Sequence, residues 1–506
     1  MSVDLTVPEV LPAGGWGTPS PEPATAPHGP PPTATAPQTA PQTAPGTAAQ
    51  LAHAANAANV ANVANVANTA QGADASERVA APAWSLARRL GFRFAFSYLI
   101  LYSFPFPLDY LPIPGLPVVF QAYSAFWGAV VAWTGRHVLH LSREIPSLRV
   151  QTGSGDTTYD YLQILCFAAF SALAALVWTV AARRVRDHRR LHEWLRIYVR
   201  YVLGATLLGY GMAKVIKTQF PAPSPDRLLE PFGDASPMGL LWTFMGYSTP
   251  YTVFAGAMEV LGGVLLFFRR TTTLGALVVI AVMTNVVMLN LCYDVPVKQY
   301  SMHLLAMGAF LLLPELPRLA SVLVLNRPTA PARLAPPLAA RWARISGLAL
   351  AILFLGYLLY VSTIQNLQMV KLMSSAGPHP ALYGSFEVEE VVRNGQAVPP
   401  LLTDAGRWRR LTSLYPGFLT VRKMDGSVLR YRTASPPAAH SITLLAFENQ
   451  AKQGSFTFAA LDPDHVLLRG NLLADALVVK LRRIEAGKHL LLTRGFHWIT
   501  EIPFNR

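Results

Sequence analysis

Lys214 and Glu259 stand inside apolar stretches of this 506-residue chain, as do Asn285 and Asn290, and Asp294, Lys298 and His303 open a further apolar run. An ionised side chain in hydrocarbon costs about 3 kcal/mol on insertion scales, so such groups face a bundle interior or a wet cavity and mark a functional site by default. The chemistry open to this set is proton transfer and stabilisation of developing negative charge. Glu259, His303 and Lys214 are therefore the candidate catalytic residues. Tyr210, Asn285, Asn290, Asp294 and Lys298 are the candidate ligand-binding residues, and Tyr210 shares a helix face with Lys214 and Lys217. Each residue alone also has a plainer reading. The lysines can snorkel to an interface, the asparagines can bond neighbouring helices, Asp294 can cap a helix and His303 can be a satisfied core histidine. Glu259 resists this best, because a carboxyl so deep must be neutral or paired.

The elements that must hold these residues follow from composition. The chain is 52% hydrophobic and only 14% charged, which fits a polytopic membrane protein carrying soluble parts. Its net charge of +14 is gathered at the ends of apolar runs, as in the arginines of 183–190 and at Arg269 and Arg270. Such clustering marks cytoplasmic loops, and without interleaved aromatics it argues against nucleic acid as a partner. The partner it does imply is the lipid bilayer. Cys166 and Cys292 both lie in apolar segments and form no CxxC pair, so no metal site and no cysteine redox role are expected.

Residues 1–83 are a Pro-, Ala- and Thr-rich tail, read as disordered and cytoplasmic, with no secretory signal peptide at its start. About seven spans follow, each near the length a bilayer needs, at 90–106, 161–182, 195–215, 251–268, 274–291, 297–313 and 345–361. The first two fall in a region 84–192 that also holds an outer loop. Residues 118–141 in that loop are apolar, but Arg136, His137 and His140 favour a segment that lies on the membrane or re-enters it. A bundle at 193–317, a basic linker at 318–344 and a last span within 345–373 complete the membrane part. All the arginine clusters fall on one side of this scheme, which places the N-terminus in the cytoplasm and the C-terminal domain in the periplasm of a bacterial-type inner membrane. Residues 374–506 instead alternate apolar and polar residues between turn signals such as Asn394-Gly395 and Asp425-Gly426. About eight antiparallel strands are expected there, as a small barrel or a sandwich.

Orientation turns the polar residues into a place. At 1.5 Å of rise per residue, Glu259 lies about 12 Å below the outer end of its span, Asn285 and His303 about 9 Å, and Lys214 within about 5 Å. The expected pocket has Glu259, Asn285 and His303 at its floor and Lys214, Asn290, Asp294 and Lys298 at its rim. Asp294 is expected to cap the span at 297–313, with Pro296 in its first turn. Gly256, Gly262 and Gly263, on the face of Glu259, let a neighbouring backbone come close.

Several stretches carry a family likeness: Tyr210-Gly211-Met212-Ala213-Lys214-Val215, Glu230-Pro231-Phe232-Gly233-Asp234, Ser236-Pro237-Met238-Gly239, Phe254 to Gly263 and Tyr293-Asp294-Val295-Pro296-Val297-Lys298. Together they make residues 195–317 resemble the DoxX-like family of four-helix membrane proteins. The resemblance implies a four-helix membrane bundle and, for some members, association with quinone-linked or thiol-linked redox systems. Gly211-Met212-Ala213-Lys214 is also similar to the membrane domain of vitamin K-dependent carboxylases, in which a lysine serves quinone chemistry. Two functions fit. One is a quinone-linked membrane protein, in which Glu259 handles protons, His303 and Asn285 bond a quinone carbonyl, and Lys214 or Lys298 stabilises an oxyanion. Without haem, flavin or iron–sulfur motifs, that reading requires a redox partner protein or freely bound quinone. The other is a non-enzymatic envelope scaffold presenting the β domain. A transporter lacks the inverted repeat it would be expected to carry.

Overall fold

The structure is a computed structural model that describes residues 83–504, apart from 143–144, 147–152, 332–339, 374–379, 381, 416, 435–439, 448, 486 and 488. The tail expected to be disordered lies outside these residues, as does the centre of the basic linker.

Eleven helices precede the strands among the described residues. Helix α1 (Leu86–Ser103) begins where the Ser85 hydroxyl accepts the Arg88 N–H. Helix α2 (Leu116–His137) follows Gly115, held at φ 88°, with Pro117 in its first turn. Helix α3 (Thr158–Ala181) starts on a capping box in which Thr157 and Asp160 satisfy each other's backbone N–H. Then come α4 (Arg189–Val215), the single turn α5 (Pro225–Leu228), α6 (Pro237–Tyr247), α7 (Thr249–Phe267), α8 (Thr272–Cys292), α9 (Lys298–Leu312), α10 (Leu316–Leu323) and α11 (Arg341–Met373).

Six helical segments are long and apolar enough to cross a membrane: α2, α3, α7, α8 with the turn before it, α9 continued to Leu323, and α11. This set differs from the expected spans in two ways. Helices α1 and α4, which carry several arginines, are absent from it, and α2, expected to lie on the membrane or re-enter it, belongs to it. Three of these arginines turn inward, however. Arg93 is fully buried and donates to His188 Nε2 (3.0 Å), to the Thr179 hydroxyl (2.7 Å) and to the Ala182 carbonyl (3.3 Å) at the end of α3. Arg200 donates to the carbonyls of Leu266 (2.9 Å) and Phe267 (3.1 Å) at the end of α7, and Arg196 to that of Leu311 (3.3 Å) near the end of α9. Three helix C-termini, each with unsatisfied carbonyls and partial negative charge, are thus capped by guanidinium groups from α1 and α4. Helix α2 rests against the end of α1 and the first half of α3. Tyr123 donates to the Leu101 carbonyl, and the Trp127 ring lies 4.7 Å from that of Phe167.

Helices α4 and α7 run antiparallel and make the closest contact of the bundle. A Cβ on Gly256 would lie 2.6 Å from the Gly211 carbonyl oxygen and 2.6 Å from the Lys214 Cβ, and one on Gly211 would lie 2.8 Å from the Gly256 carbonyl oxygen. One heptad away, Gly263 and Gly204 face each other likewise, with a Cβ on Gly263 3.0 Å from the Gly204 carbonyl oxygen. Small residues at matching positions allow backbones to meet, which side-chain packing alone would prevent.

The C-terminal strands are β1 (Gly384–Arg393), β2 (Gln396–Ala397), β3 (Trp408–Ser413), β4 (Phe418–Lys423), β5 (Val428–Ala434), β6 (Ser441–Ala446), β7 (Lys452–Ala460), β8 (His465–Leu472) and β9 (Asp475–Arg483). Neighbours pair antiparallel, and β1 pairs with both β3 and β9, which closes an eight-stranded up-and-down barrel with β2 as a two-residue addition. Between the two expected architectures, closure through β1 and β9 selects the barrel. Phe386, Leu411, Val421, Leu444, Val479 and Leu481 fill its interior, which is a packed core rather than a ligand lumen.

One rim of the barrel touches the loop between α4 and α6. The Thr412 hydroxyl donates to the Asp226 carboxylate, Arg410 donates to the Leu229 carbonyl, and Arg422 lies 3.6 Å from Glu230, which also pairs with Arg227. Burial raises the pKa of Asp226, against the lowering influence of the Thr412 hydrogen bond and Arg410. A carboxyl whose folded pKa lies above its unfolded value weakens the folded arrangement at pH above that folded pKa. The penalty is relieved as pH falls through it towards the unfolded value.

Two outcomes are expected. Gly256→Val should lower bundle stability by about 2–3 kcal/mol, since added bulk meets backbone that cannot yield, whereas Gly209→Ala, with nothing within 4 Å of the new Cβ, should not; thermal unfolding in detergent measures both. The protection factors of β3 amides, corrected for the intrinsic pH dependence of exchange, should rise on mild acidification, and Asp226→Asn should remove that rise.

Candidate functional site

The glycine contact between α4 and α7 sets the geometry of the polar residues. The Lys214 Cβ lies beside Gly256, where a Cβ on that glycine would meet it at 2.6 Å, and Glu259 stands one turn further along α7, so the lysine side chain lies along α7 and reaches the carboxylate. Lys214 Nζ sits 2.9 Å from Glu259 Oε2, and the two side chains are 9% and 4% exposed. The ammonium also lies 5.7 Å from the centroid of the Tyr210 ring and 6.0 Å from that of Phe220. A buried pair of this kind contributes little net stability, yet removing one partner strands the other charge at a cost of about 3–5 kcal/mol.

A cavity of about 340 Å³ opens beside the pair, enclosed by α4, α6, α7, α8 and the start of α9. Its walls are mostly apolar, with Leu207, Phe220, Trp242, Met245, Phe254 and Val286 among them. Polar groups converge at few points: the Lys214–Glu259 pair, Tyr210, Asn285, Asn290 and Gln219. The Gln219 side-chain oxygen is buried with no hydrogen-bond partner. Tyr251 (42% exposed), Phe254 (60%) and Asn285 lie on the flank of the bundle, so the cavity opens sideways between α7 and α8.

Five of the eight predicted site residues therefore line one cavity: Lys214, Tyr210, Glu259, Asn285 and Asn290. Asn290 also serves as interhelical glue, since its amide donates to Ser301 Oγ (3.0 Å), which donates to the Lys298 carbonyl (2.9 Å). The other three lie elsewhere. His303 is not at the floor. Its Nδ1–H donates to the Gln299 carbonyl (2.7 Å), its Nε2 accepts from the Tyr98 hydroxyl (2.6 Å), and its ring stacks on Tyr102 at 4.1 Å. It faces α1, a neighbour its own helix does not reveal. Lys298 is 2.7 Å from Asp294 and 3.9 Å from Asp156, outside the cavity. Asp294 does not cap α9. It adopts φ 50° with its side chain 82% exposed, and the N-terminus of α9 is capped by Asp156, which accepts the N–H groups of Lys298 (2.7 Å) and Gln299 (3.0 Å).

The stretch between α4 and α7 supplies the roof. Ser236 caps α6 by accepting the Gly239 N–H, with Pro237 in the first turn, and Leu241, Trp242 and Met245 then cover the cavity. The Ser236-Pro237 pair is itself a helix-start signal. A second cavity of about 620 Å³, lined by Tyr102, Tyr123, Asp160 and Gln299 among others, shares Tyr210, Val297 and Tyr300 with the first. Among the described residues no group of three or more His, Cys, Asp or Glu could hold a metal ion.

Lys214→Met and Glu259→Gln should each destabilise the bundle by about 3 kcal/mol or more, while the double variant should recover most of the loss, because no unpaired buried charge remains. A double-mutant cycle by thermal unfolding measures this.

No family model matches the chain, and no solved structure matches it. It is similar to the uncharacterized protein YwoB of Bacillus subtilis (strain 168), at 36% identity over 115 residues that make up 22% of this chain and 71% of YwoB. Identity of that degree across most of YwoB carries the relationship, and the chain belongs to the same family as YwoB.

Proposed function

We propose that this protein binds, within the membrane, a lipophilic molecule carrying one oxygen-bearing polar head, of which a quinone is the leading example. The observation that carries the reading is the coincidence of an apolar cavity, a flank opening between α7 and α8, and a single buried Lys214–Glu259 pair at its polar end. A volume of about 340 Å³ falls in the range of small-molecule sites. An amphiphile entering from the bilayer would place its tail against Phe254 and Val286 and its head against the pair. Lys214 is then the donor to a ligand oxygen, Glu259 the group that exchanges a proton with it, and the Gln219 oxygen an acceptor for a ligand hydroxyl. The DoxX-like stretches point to the same ligand class. His303, held by Tyr98 and the Gln299 carbonyl, has no part in it.

In this reading α1 and α4 also cross the bilayer, because Arg93, Arg196 and Arg200 cap other helices and are not left in hydrocarbon, while Arg88, Arg189 and Arg190 stand at the helix starts. Helix α2, although long enough to cross, is placed with the outer loop because Arg136 and His137 stand in its last turn. Seven crossings result, with the arginine-rich end in the cytoplasm and the barrel outside the cell membrane, on the side towards which the cavity is displaced. The scaffold alternative is favoured by one observation, the packed barrel docked on the α4–α6 loop, and it leaves the cavity without a role.

The test is direct. Protein purified in nanodiscs should yield quinone on organic extraction, and quinones of graded chain length should raise its melting temperature. The Lys214→Met/Glu259→Gln double variant should lose that shift. Absence of both extracted quinone and a shift would end the proposal, and retention of the cellular role by Glu259→Gln would favour the scaffold.

A further inference from the structure

After β9 the chain carries a short surface segment unlike the rest of the barrel. Phe496, Trp498, Ile499 and Ile502 are each at least 75% exposed, and the single turn α12 (Leu490–Thr493) exposes three successive leucines by 40–50%. The segment is ordered by its own contacts. The Arg494 guanidinium lies 4.7 Å from the Phe504 ring and 2.7 Å from His497 Nε2, and the rings of Phe496 and Trp498 are 6.0 Å apart. Contiguous exposed apolar side chains on this scale mark a binding surface.

Its place in the fold selects the partner. The last residue of β9, Arg483, pairs with Phe386 near the start of β1, and the Ile484 N–H donates to the Ser385 carbonyl (2.8 Å). Strand β1 is entered from α11, a membrane-length helix, by way of residues 374–383. Ser385 also pairs with Thr412, the residue that holds Asp226 of the α4–α6 loop. The segment therefore leaves the barrel at the rim from which the chain enters the bundle. Tryptophan, phenylalanine and bulky aliphatics beside an arginine are the composition of a membrane interface.

We propose that residues 490–504 are an interfacial anchor that seats the aromatic and aliphatic side chains in the headgroup region of the outer leaflet, with Arg494 towards lipid phosphate. The proposal rests on the reading that the helices span a bilayer. The full chain with Cys166→Ala and Cys292→Ala is placed in phosphatidylcholine–phosphatidylglycerol nanodiscs containing nitroxide-labelled lipid. A bimane reporter is attached in turn at Thr500→Cys, at Val177→Cys on the exposed flank of α3, and at Leu473→Cys in the hairpin at the opposite end of the barrel. Quenching at position 500 should be at least threefold that at position 473 and comparable with that at 177. Adding Phe496→Ser, Trp498→Ser and Ile499→Ser should bring position 500 down to the level of 473 and leave 177 unchanged. If position 500 matches 473 while 177 is quenched, the anchor is wrong and the segment covers protein instead. If 177 is also unquenched, the spanning reading itself fails.

Discussion

The bundle depends on one contact, the meeting of two helix backbones at Gly211 and Gly256, repeated one heptad away at Gly204 and Gly263. Helices approach this closely only where both lack side chains at the crossing, and in an apolar medium such proximity is itself the main source of association. The contact fixes the rotation of α4 and α7 about their axes, and with it the direction of everything one turn further on. Lys214 and Glu259 meet because the close approach sets the lysine against Gly256, one turn of α7 from the carboxylate, within reach of its long side chain. Neither could be buried without the other, so the packing of small residues and the placement of charge are one constraint.

Charge elsewhere in the bundle obeys a related economy. Three arginines of α1 and α4 face carbonyls that end neighbouring helices, where partial negative charge and unfilled acceptors coincide. Arg93, Arg196 and Arg200 thereby tie the ends of α3, α9 and α7 to helices distant in sequence. At the opposite end Asp156 does the same with the other sign, giving its carboxylate to the N-terminus of α9. The helix termini are thus joined by side chains at both ends of the bundle.

These cross-links also explain what could be read in advance. Alternation between turn signals identified the strands, and apolar length identified α3, α7, α8, α9 and α11, because both are local patterns. Lys214 and Glu259 stood out because charge in an apolar run is anomalous wherever the run leads. Distance in sequence concealed the rest. The role of Asp156 depends on a residue 142 positions later, and His303 is satisfied by Tyr98 on a helix 205 positions earlier. A hydropathy count treats Arg93 and Arg200 as costs, since it cannot include the carbonyls they meet. Helix α6 is short, and only its Ser-Pro start distinguishes it from loop.

The barrel's rim contact has a mechanical meaning. Asp226, Leu229 and Glu230 belong to the same stretch of chain that continues into α6, the roof of the cavity, and they are gripped by Thr412, Arg410 and Arg422. A clasp on one side of a hinge restrains the panel on the other. Any upward opening of the roof must release that grip or carry the barrel along, and α11, 33 residues and about 50 Å long, holds the barrel through a second tether. The barrel is then ballast on the roof of the cavity.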